Sequence, residues 1–406
     1  MVIVAQLGAR MHYAVPAILQ RSGMLERLYT DIYAPRLPKP LQALASQYGP
    51  PSLRRLLGRV PADIPEKKIT SFGAMGLEYY WRRRGAESRG SAAAAHLWAG
   101  REFCRRIIHR GLGNASCVYT INSAALELLQ HARTQGVLAV MEQASAPSIV
   151  YERLREVEEL DYPQWTPSRE RDPLWRRFQE QAQMEWDTAD LILCGSEFVR
   201  DGIRAIGGPV GRCRVVPYCV RPPATAPTRE FCHKPLRVLT VGAVGIMKGA
   251  PYVLAAARSL KAKAEFRMAG ALDVTPHARE LLSAHVSLLG AVPRSEIYQQ
   301  YAWADVFLLP SICEGSATVC YEALSHGLPV ITTPNAGSVV RDGVDGFIVP
   351  IRDSAAIVDK IERLADDSDL WAAMSKNALG RAMEFTLEKY GERLLSALRE
   401  AETTTR

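Results

Sequence analysis

Ser311-Ile312-Cys313-Glu314-Gly315-Ser316-Ala317-Thr318-Val319-Cys320-Tyr321-Glu322-Ala323-Leu324-Ser325-His326-Gly327-Leu328-Pro329-Val330 is the stretch that decides how this chain is read. A buried-strand run, Asp305 to Pro310, feeds it, and a second apolar run, Leu328 to Thr332, follows it. Between them the residues spell a loop, one helix of about three turns, and Gly327 as the residue that ends the helix. Ser316 and Thr318 suit the helix start, and Ala323 and Leu324 fall on the side that faces a sheet. Glu322 then lies about one turn beyond Thr318 on the same face, while Glu314 sits in the loop just before. Two carboxylates are thereby brought near a helix end whose first amides have no partner inside the helix.

Such an end suits a nucleoside diphosphate sugar. The amides of Gly315 to Thr318, with a dipole of about half a positive charge, favour a diphosphate, and Val319 is expected among the donor-binding residues beside them. A carboxylate such as Glu322 accepts two hydrogen bonds from a ribose diol, and Glu314 can serve sugar hydroxyls in the same way. Either glutamate alone reads as a solvated helix residue. The pair gains weight from the strand before it, the small residues between and the Gly-Leu-Pro-Val after.

Glu314-x7-Glu322 is followed by Ala-Leu-x-x-Gly-Leu-Pro-Val-Ile-Thr-Thr, then Pro334-Asn335-Ala336-Gly337 and Asp342-Gly343-Val344-Asp345-Gly346-Phe347. This set resembles the donor-site signature of family-4 retaining glycosyltransferases of the GT-B fold, closely over residues 190 to 400 and loosely before them. The resemblance implies an α/β chain with two Rossmann-like domains whose parallel sheets face each other across a cleft. It also implies transfer of a sugar from a UDP- or GDP-linked donor to an acceptor hydroxyl with retained configuration. No metal or other cofactor is implied, and no D-x-D element is found. Two other readings stay open: a same-fold sugar-nucleotide epimerase or phosphorylase-type enzyme, and a nucleotide-sugar-binding protein without turnover.

Further site residues follow. In Val241-Gly242-Ala243-Val244-Gly245-Ile246-Met247-Lys248-Gly249, Gly242 and Gly245 allow close backbone approach, and Lys248 offers a point charge to the donor diphosphate. That charge would act on the leaving group as it develops. The family's Arg beside this Lys is Ala243 here, and Arg10 is the candidate to replace it. The first strand ends in Gly8-Ala9, where relatives carry two glycines, so Gly8 and Arg10 stand for the donor loop of the first domain. At the end of the strand Val137 to Met141 the family's His is Glu142, followed by Gln143. A carboxylate there could accept the acceptor proton. Glu314, Lys248 and Glu142 are thus the expected catalytic residues. The backbone of Ala291 and Val292 would back the base, with uracil and guanine both open.

Composition sets the bounds. A chain of 406 residues is long enough for two cores. No run approaches the ~20 apolar residues of a membrane span. The opening Met1-Val2-Ile3-Val4 reads as a strand, with no sign of a signal peptide. Eight cysteines are scattered without a C-x-x-C pair, as free thiols of a reducing cytoplasm would be. Between Pro35 and Arg84 lie ten basic and three acidic residues, which accounts for the whole net charge of +7.

The expected first domain is 1–220, with 221–235 as a Pro-rich linker and 236–385 as the donor domain. A helix over 386–406 is expected to cross back to the first domain. Residues 34–85 read as irregular, with short apolar pieces at Leu41 to Leu44 and Leu53 to Leu57 and aromatics at Tyr79, Tyr80 and Trp81. This basic segment is the expected acceptor-side surface, for a glycan or lipid-linked acceptor, with peripheral contact to the inner face of a membrane. Solvated charge is the competing reading. No nucleic-acid module accompanies the charge.

Overall fold

A computed structural model describes residues 1–36, 39–48, 57, 59–61, 63–86, 89–166, 173–223, 229–231 and 234–405. Two fully parallel sheets carry the chain. The first holds β1 (Val2–Gln6), β2 (Leu25–Thr30), β3 (Ile69–Ser71), β4 (Cys117–Ile121), β5 (Leu138–Gln143), β6 (Leu191–Cys194) and β7 (Cys213–Val215), in the order β3-β2-β1-β4-β5-β6-β7. The second holds β8 (Leu236–Val241), β9 (Ala264–Ala269), β10 (Ser287–Gly290), β11 (Val306–Leu309), β12 (Val330–Thr332) and β13 (Gly346–Ile348), in the order β10-β9-β8-β11-β12-β13. Strands such as Val306–Leu309 and Leu191–Cys194 are buried along their whole length, as helices on both faces of a parallel sheet require. Each sheet reverses its strand order once, between β1 and β4 and between β8 and β11. The loops that diverge there open crevices at the carboxyl ends of the strands.

Among the described residues the α-helices of the first half are α1 (Ala14–Arg21), α2 (Lys39–Tyr48), α3 (Gly73–Arg84), α4 (Arg89–Arg110), α5 (Leu126–Thr134), α6 (Ser148–Asp161), α7 (Pro173–Thr188) and α8 (Glu197–Ala205). Those of the second half are α9 (Ala250–Ser259), α10 (Pro276–Ser283), α11 (Arg294–Trp303), α12 (Thr318–Ser325), α13 (Ser354–Asp366), α14 (Ser368–Met383) and α15 (Leu387–Thr405). The helix of the opening stretch, α12, is eight residues long, shorter than the three turns expected. Gly327 after it adopts φ +68° and lies against Ser375 and Leu379. The last helix, α15, packs on the first domain: Gly391 lies against Ile18, and Tyr218 and Tyr390 pair with centroids 6.4 Å apart.

The segment 34–85 is not irregular, as the sequence reading had it. It contains α2, β3 and the twelve-residue α3. The helical pattern is hidden because α3 buries little more than Met75 and Gly76, so no apolar stripe marks it. A side chain at Gly76 would stand 2.6 Å from Ile32 Cγ1, so only glycine lets the helix sit so close. The strand β2 was also unforeseen, since Glu26 and Arg27 interrupt its apolar run. Leu53 to Leu56, with Arg54 and Arg55, lie outside the described residues, as do the side chains of Leu41 and Leu44.

The chain also crosses its own domain boundary. Ala146 and Trp165, which flank α6, are buried with Val253, Met268 and Ile312 of the second domain. On α6 itself, Glu158 is fully buried and accepts from Tyr252 Oη at 2.9 Å and Arg352 Nε at 2.6 Å. The helix is therefore fixed to the second domain by a buried, paired carboxylate, although its sequence lies within 1–220. In the linker, Arg229 donates to the carbonyls of Tyr301 and Ala304 at 2.5 Å each and to that of His326.

Candidate functional site

Four loops at the two switch points build the site. They follow β1, β4, β8 and β11, and the loop after β5 lies beside them. Two adjacent hollows result, of about 510 and 540 Å³, and Ser145, Glu314 and Gly315 stand in the wall of both. The domains meet at that wall. Ser196 Oγ donates to the Gly315 carbonyl at 2.5 Å, and a side chain at Gly315 would lie 2.2 Å from the Ala144 carbonyl oxygen.

The first hollow surrounds the start of α12. Among the described residues the amides of Gly315, Ser316, Thr318 and Val319 make no hydrogen bond, and no side chain caps the helix. They are the orphan donors that an anion would satisfy. Gly315, Ser316 and Thr318 line the hollow. Ala317 does not join them: it is buried and its amide donates to the Ala336 carbonyl at 3.0 Å. Ser316 Oγ is paired with Tyr321 Oη at 2.9 Å rather than capping the helix, and the Val319 side chain packs against the core.

Glu322 lines the same hollow. Its Oε2 accepts from Tyr301 Oη at 2.8 Å, and its Oε1 lies 3.6 Å from Arg294 Nη2. The Tyr301 ring in turn stacks on His326, with centroids 5.0 Å apart. Arg294 Nη1 also meets His12 Nε2 of the first domain at 2.5 Å. His12 reaches there because Met11, His12 and Tyr13 all adopt left-handed backbone, with φ of 45°, 52° and 62°. Such a run in non-glycine residues costs roughly 1–2 kcal/mol per residue. Val292 packs against the core; Ile297 and Tyr298 of α11 line the hollow instead.

Lys248 and Glu314 form an ion pair in the second hollow. Burial pulls the Lys248 ammonium down to about 8, so it stays charged at neutral pH. The turn carrying it packs against the end of β11, where Gly249 has φ +77° and a side chain would stand 2.2 Å from the Pro310 carbonyl oxygen. Gly242, at φ +141°, leaves room for the Lys248 stem, and Gly245 lies in the wall beside Asp273.

Two expected residues take other parts. The Gly8 amide donates to Asp31 Oδ1 at 2.9 Å, and Asp31 is buried against Arg59. Gly8 is therefore spent on that pair and absent from the lining of either hollow. Glu142 is 3% exposed and its carboxylate is fully engaged. Oε1 accepts from Arg10 Nε at 2.9 Å and Tyr218 Oη at 2.7 Å, and Oε2 from Tyr119 Oη at 2.5 Å. Burial works against its charge, but Arg10 and the two tyrosines outweigh that and hold it below the usual carboxylate range. Glu142 thus offers no free oxygen to an acceptor proton; it anchors Arg10, which does line the first hollow. Gln143 lines the second hollow, bonded to Ser145 O at 2.9 Å and Trp186 Nε1 at 2.8 Å. Sequence reasoning missed His12, Tyr218, Arg294 and Tyr301, which carry no local motif.

Among the described residues no three His, Cys, Asp or Glu side chains gather as metal ligands would, and no helix is long and apolar enough to cross a membrane.

Comparison with known proteins bears on the family and the fold. Residues 235–367 match the family model described as Glycosyl transferases group 1. The amylovoran biosynthesis glycosyltransferase AmsK of Erwinia amylovora is 28% identical over 193 residues, 43% of this chain and 47% of the relative. The chain spans about half the length of the curated relatives it matches. The solved structure of HepE from Anabaena in complex with UDP and glucose superposes with a TM-score of 0.58 at 14% identity, over 98% of this chain and 99% of that one. Sucrose-phosphate synthase from Thermosynechococcus elongatus gives 0.63 at 17%, over 99% of each. The two parallel-sheet domains have the GT-B fold.

Proposed function

We propose that the protein is a retaining glycosyltransferase that moves a sugar from a nucleoside diphosphate sugar, UDP- or GDP-linked, to an acceptor hydroxyl. The observation that carries this reading is the shared wall: Glu314 and Gly315 border both the hollow around the free amides at the start of α12 and a second hollow beside it. The diphosphate would take the free amides at the start of α12, with Arg10 nearby and Lys248 across Glu314. Glu322 would accept the ribose hydroxyls, as the resemblance implies, and Glu314 those of the sugar. Breaking the bond from the anomeric carbon to phosphate leaves charge on the diphosphate, which Lys248 and the helix end stabilise more as it develops. The acceptor oxygen bonds to the same carbon from the same face. With Glu142 committed to Arg10, the acceptor proton passes to the departing phosphate oxygen.

In this reading Lys248 and the amides do the work of a metal. The test is donor hydrolysis and transfer from UDP- and GDP-sugars in EDTA. Metal-dependent activity would sink the metal-independent mechanism. Nucleotide binding with no turnover on any donor would favour a binding protein, a reading supported by Ala243 in place of a cationic side chain. The HepE complex with UDP and glucose and the amylovoran relative support a nucleotide-sugar donor and a glycan acceptor.

A further inference from the structure

The second hollow has features the donor does not use. Trp175 and Phe178 of α7 lie in its lining as a stacked aromatic pair, with ring centroids 5.0 Å apart and planes within 14°. Arg155 of α6 lines it as well and is 4% exposed. Its Nε donates to Glu159 at 2.6 Å and its Nη1 to Tyr151 Oη at 3.3 Å. Its Nη2 is buried and has no hydrogen-bond partner among the described residues. A buried donor left unmade is costly, and most buried polar atoms in folded proteins are satisfied. The helix cannot easily turn to relieve it, because Glu158 is held by Tyr252 and Arg352 of the donor domain. The unsatisfied guanidinium is therefore held in the lining of the same hollow as Lys248, Glu314 and Gly315.

We propose that this hollow is the acceptor subsite and takes a sugar ring bearing an anionic group, a carboxylate or a phosphate. Arg155 Nη2 binds the anion while the ring lies against Trp175 and Phe178. An anion suits the site because a guanidinium pairs with carboxylate or phosphate through charge-assisted bonds. The inference rests on the transferase reading for its chemistry, but the binding it states can be measured without turnover.

The experiment is calorimetry on the full chain saturated with UDP, titrated with methyl glucuronide, glucose 6-phosphate and methyl glucoside. The glucuronide arm reports a carboxylate and the glucose 6-phosphate arm a phosphate. At least one anionic sugar should bind about ten-fold or more tighter than the neutral glucoside. Arg155→Gln should bring that ratio close to one, and Trp175→Ala should weaken charged and neutral sugars alike. UDP affinity and melting temperature serve as the fold controls. Equal affinities for charged and neutral sugars, a ratio untouched by Arg155→Gln, or no binding of any sugar at millimolar concentration would each overturn the proposal. Failure of UDP to bind would count instead against the transferase reading.

Discussion

Lys248 carries a pH dependence whose sign is fixed by its burial. An ammonium that titrates at about 8 is charged below that value and loses its proton as pH rises through it. The kcat/KM for the donor should therefore fall across an alkaline limb centred near 8, and the limb for kcat should lie higher, because bound diphosphate holds the proton on. Lys248→Ala should lower kcat on the order of 100-fold and abolish the limb; a limb that survives the substitution belongs to another group. The two glutamates should separate. Removing a charge-assisted partner costs ~1.5–3 kcal/mol, so Glu322→Ala should weaken UDP binding about ten-fold or more. Glu314→Gln should impair transfer more than UDP affinity, since Glu314 faces Lys248 and the wall between the hollows. Equal losses in both assays would mean the roles are misassigned. The places of Glu314, Glu322 and Lys248 in the walls of the hollows were legible because each lies inside a local strand–loop–helix unit. His12 and Arg294 were not, because their contact joins two domains and depends on a left-handed backbone run that Met-His-Tyr does not advertise. Glu142 was legible as a strand-end carboxylate, but Tyr119 and Tyr218 close round it from other strands and loops.

α12 is short and uncapped, and its use depends on the glycine before it. Because a side chain at Gly315 would lie 2.2 Å from the Ala144 carbonyl oxygen and 2.8 Å from Ser145 Cα, the two domains can meet there only around a glycine. Gly315→Ala keeps the amide for the donor but holds the wall apart. Transfer should fall about ten-fold or more while UDP affinity changes by only a few-fold. Comparing the two measurements checks this, and full transfer by the variant would show that the wall need not close. Motif reading placed the helix correctly and overstated its length, since periodicity locates a helix better than it locates the ends. It failed at β2 and α3 for a different reason. Neither shows the apolar spacing of its class: charged residues interrupt the first, and the second buries mainly a methionine and a glycine.

At the scale of the molecule, one part of the expected basic surface lies on α3. Arg59 belongs to the buried Asp31 pair, whereas Arg82, Arg83 and Arg84 are exposed beside Trp81, which is 64% exposed. If the acceptor is presented at a bilayer, each basic residue contributes ~1 kcal/mol toward an anionic surface. Sedimentation with anionic vesicles at low salt should be lost when all three arginines become glutamine and weakened by Trp81→Ala; neutral vesicles should leave the protein in solution. No sedimentation at low salt would mean that the charge is simply solvated. The two-sheet plan was legible because buried parallel strands and alternating helices announce themselves, but α6 was not, since nothing in its residues shows which domain it joins. That attachment has a consequence for biosynthesis. A ribosome delivers Ala146, Glu158 and Trp165 well before Tyr252 and Arg352, so the first half leaves the exit tunnel with part of the second half's interior in hand. It must keep that segment uncommitted until the later strands arrive, and the two halves therefore mature as one folding event.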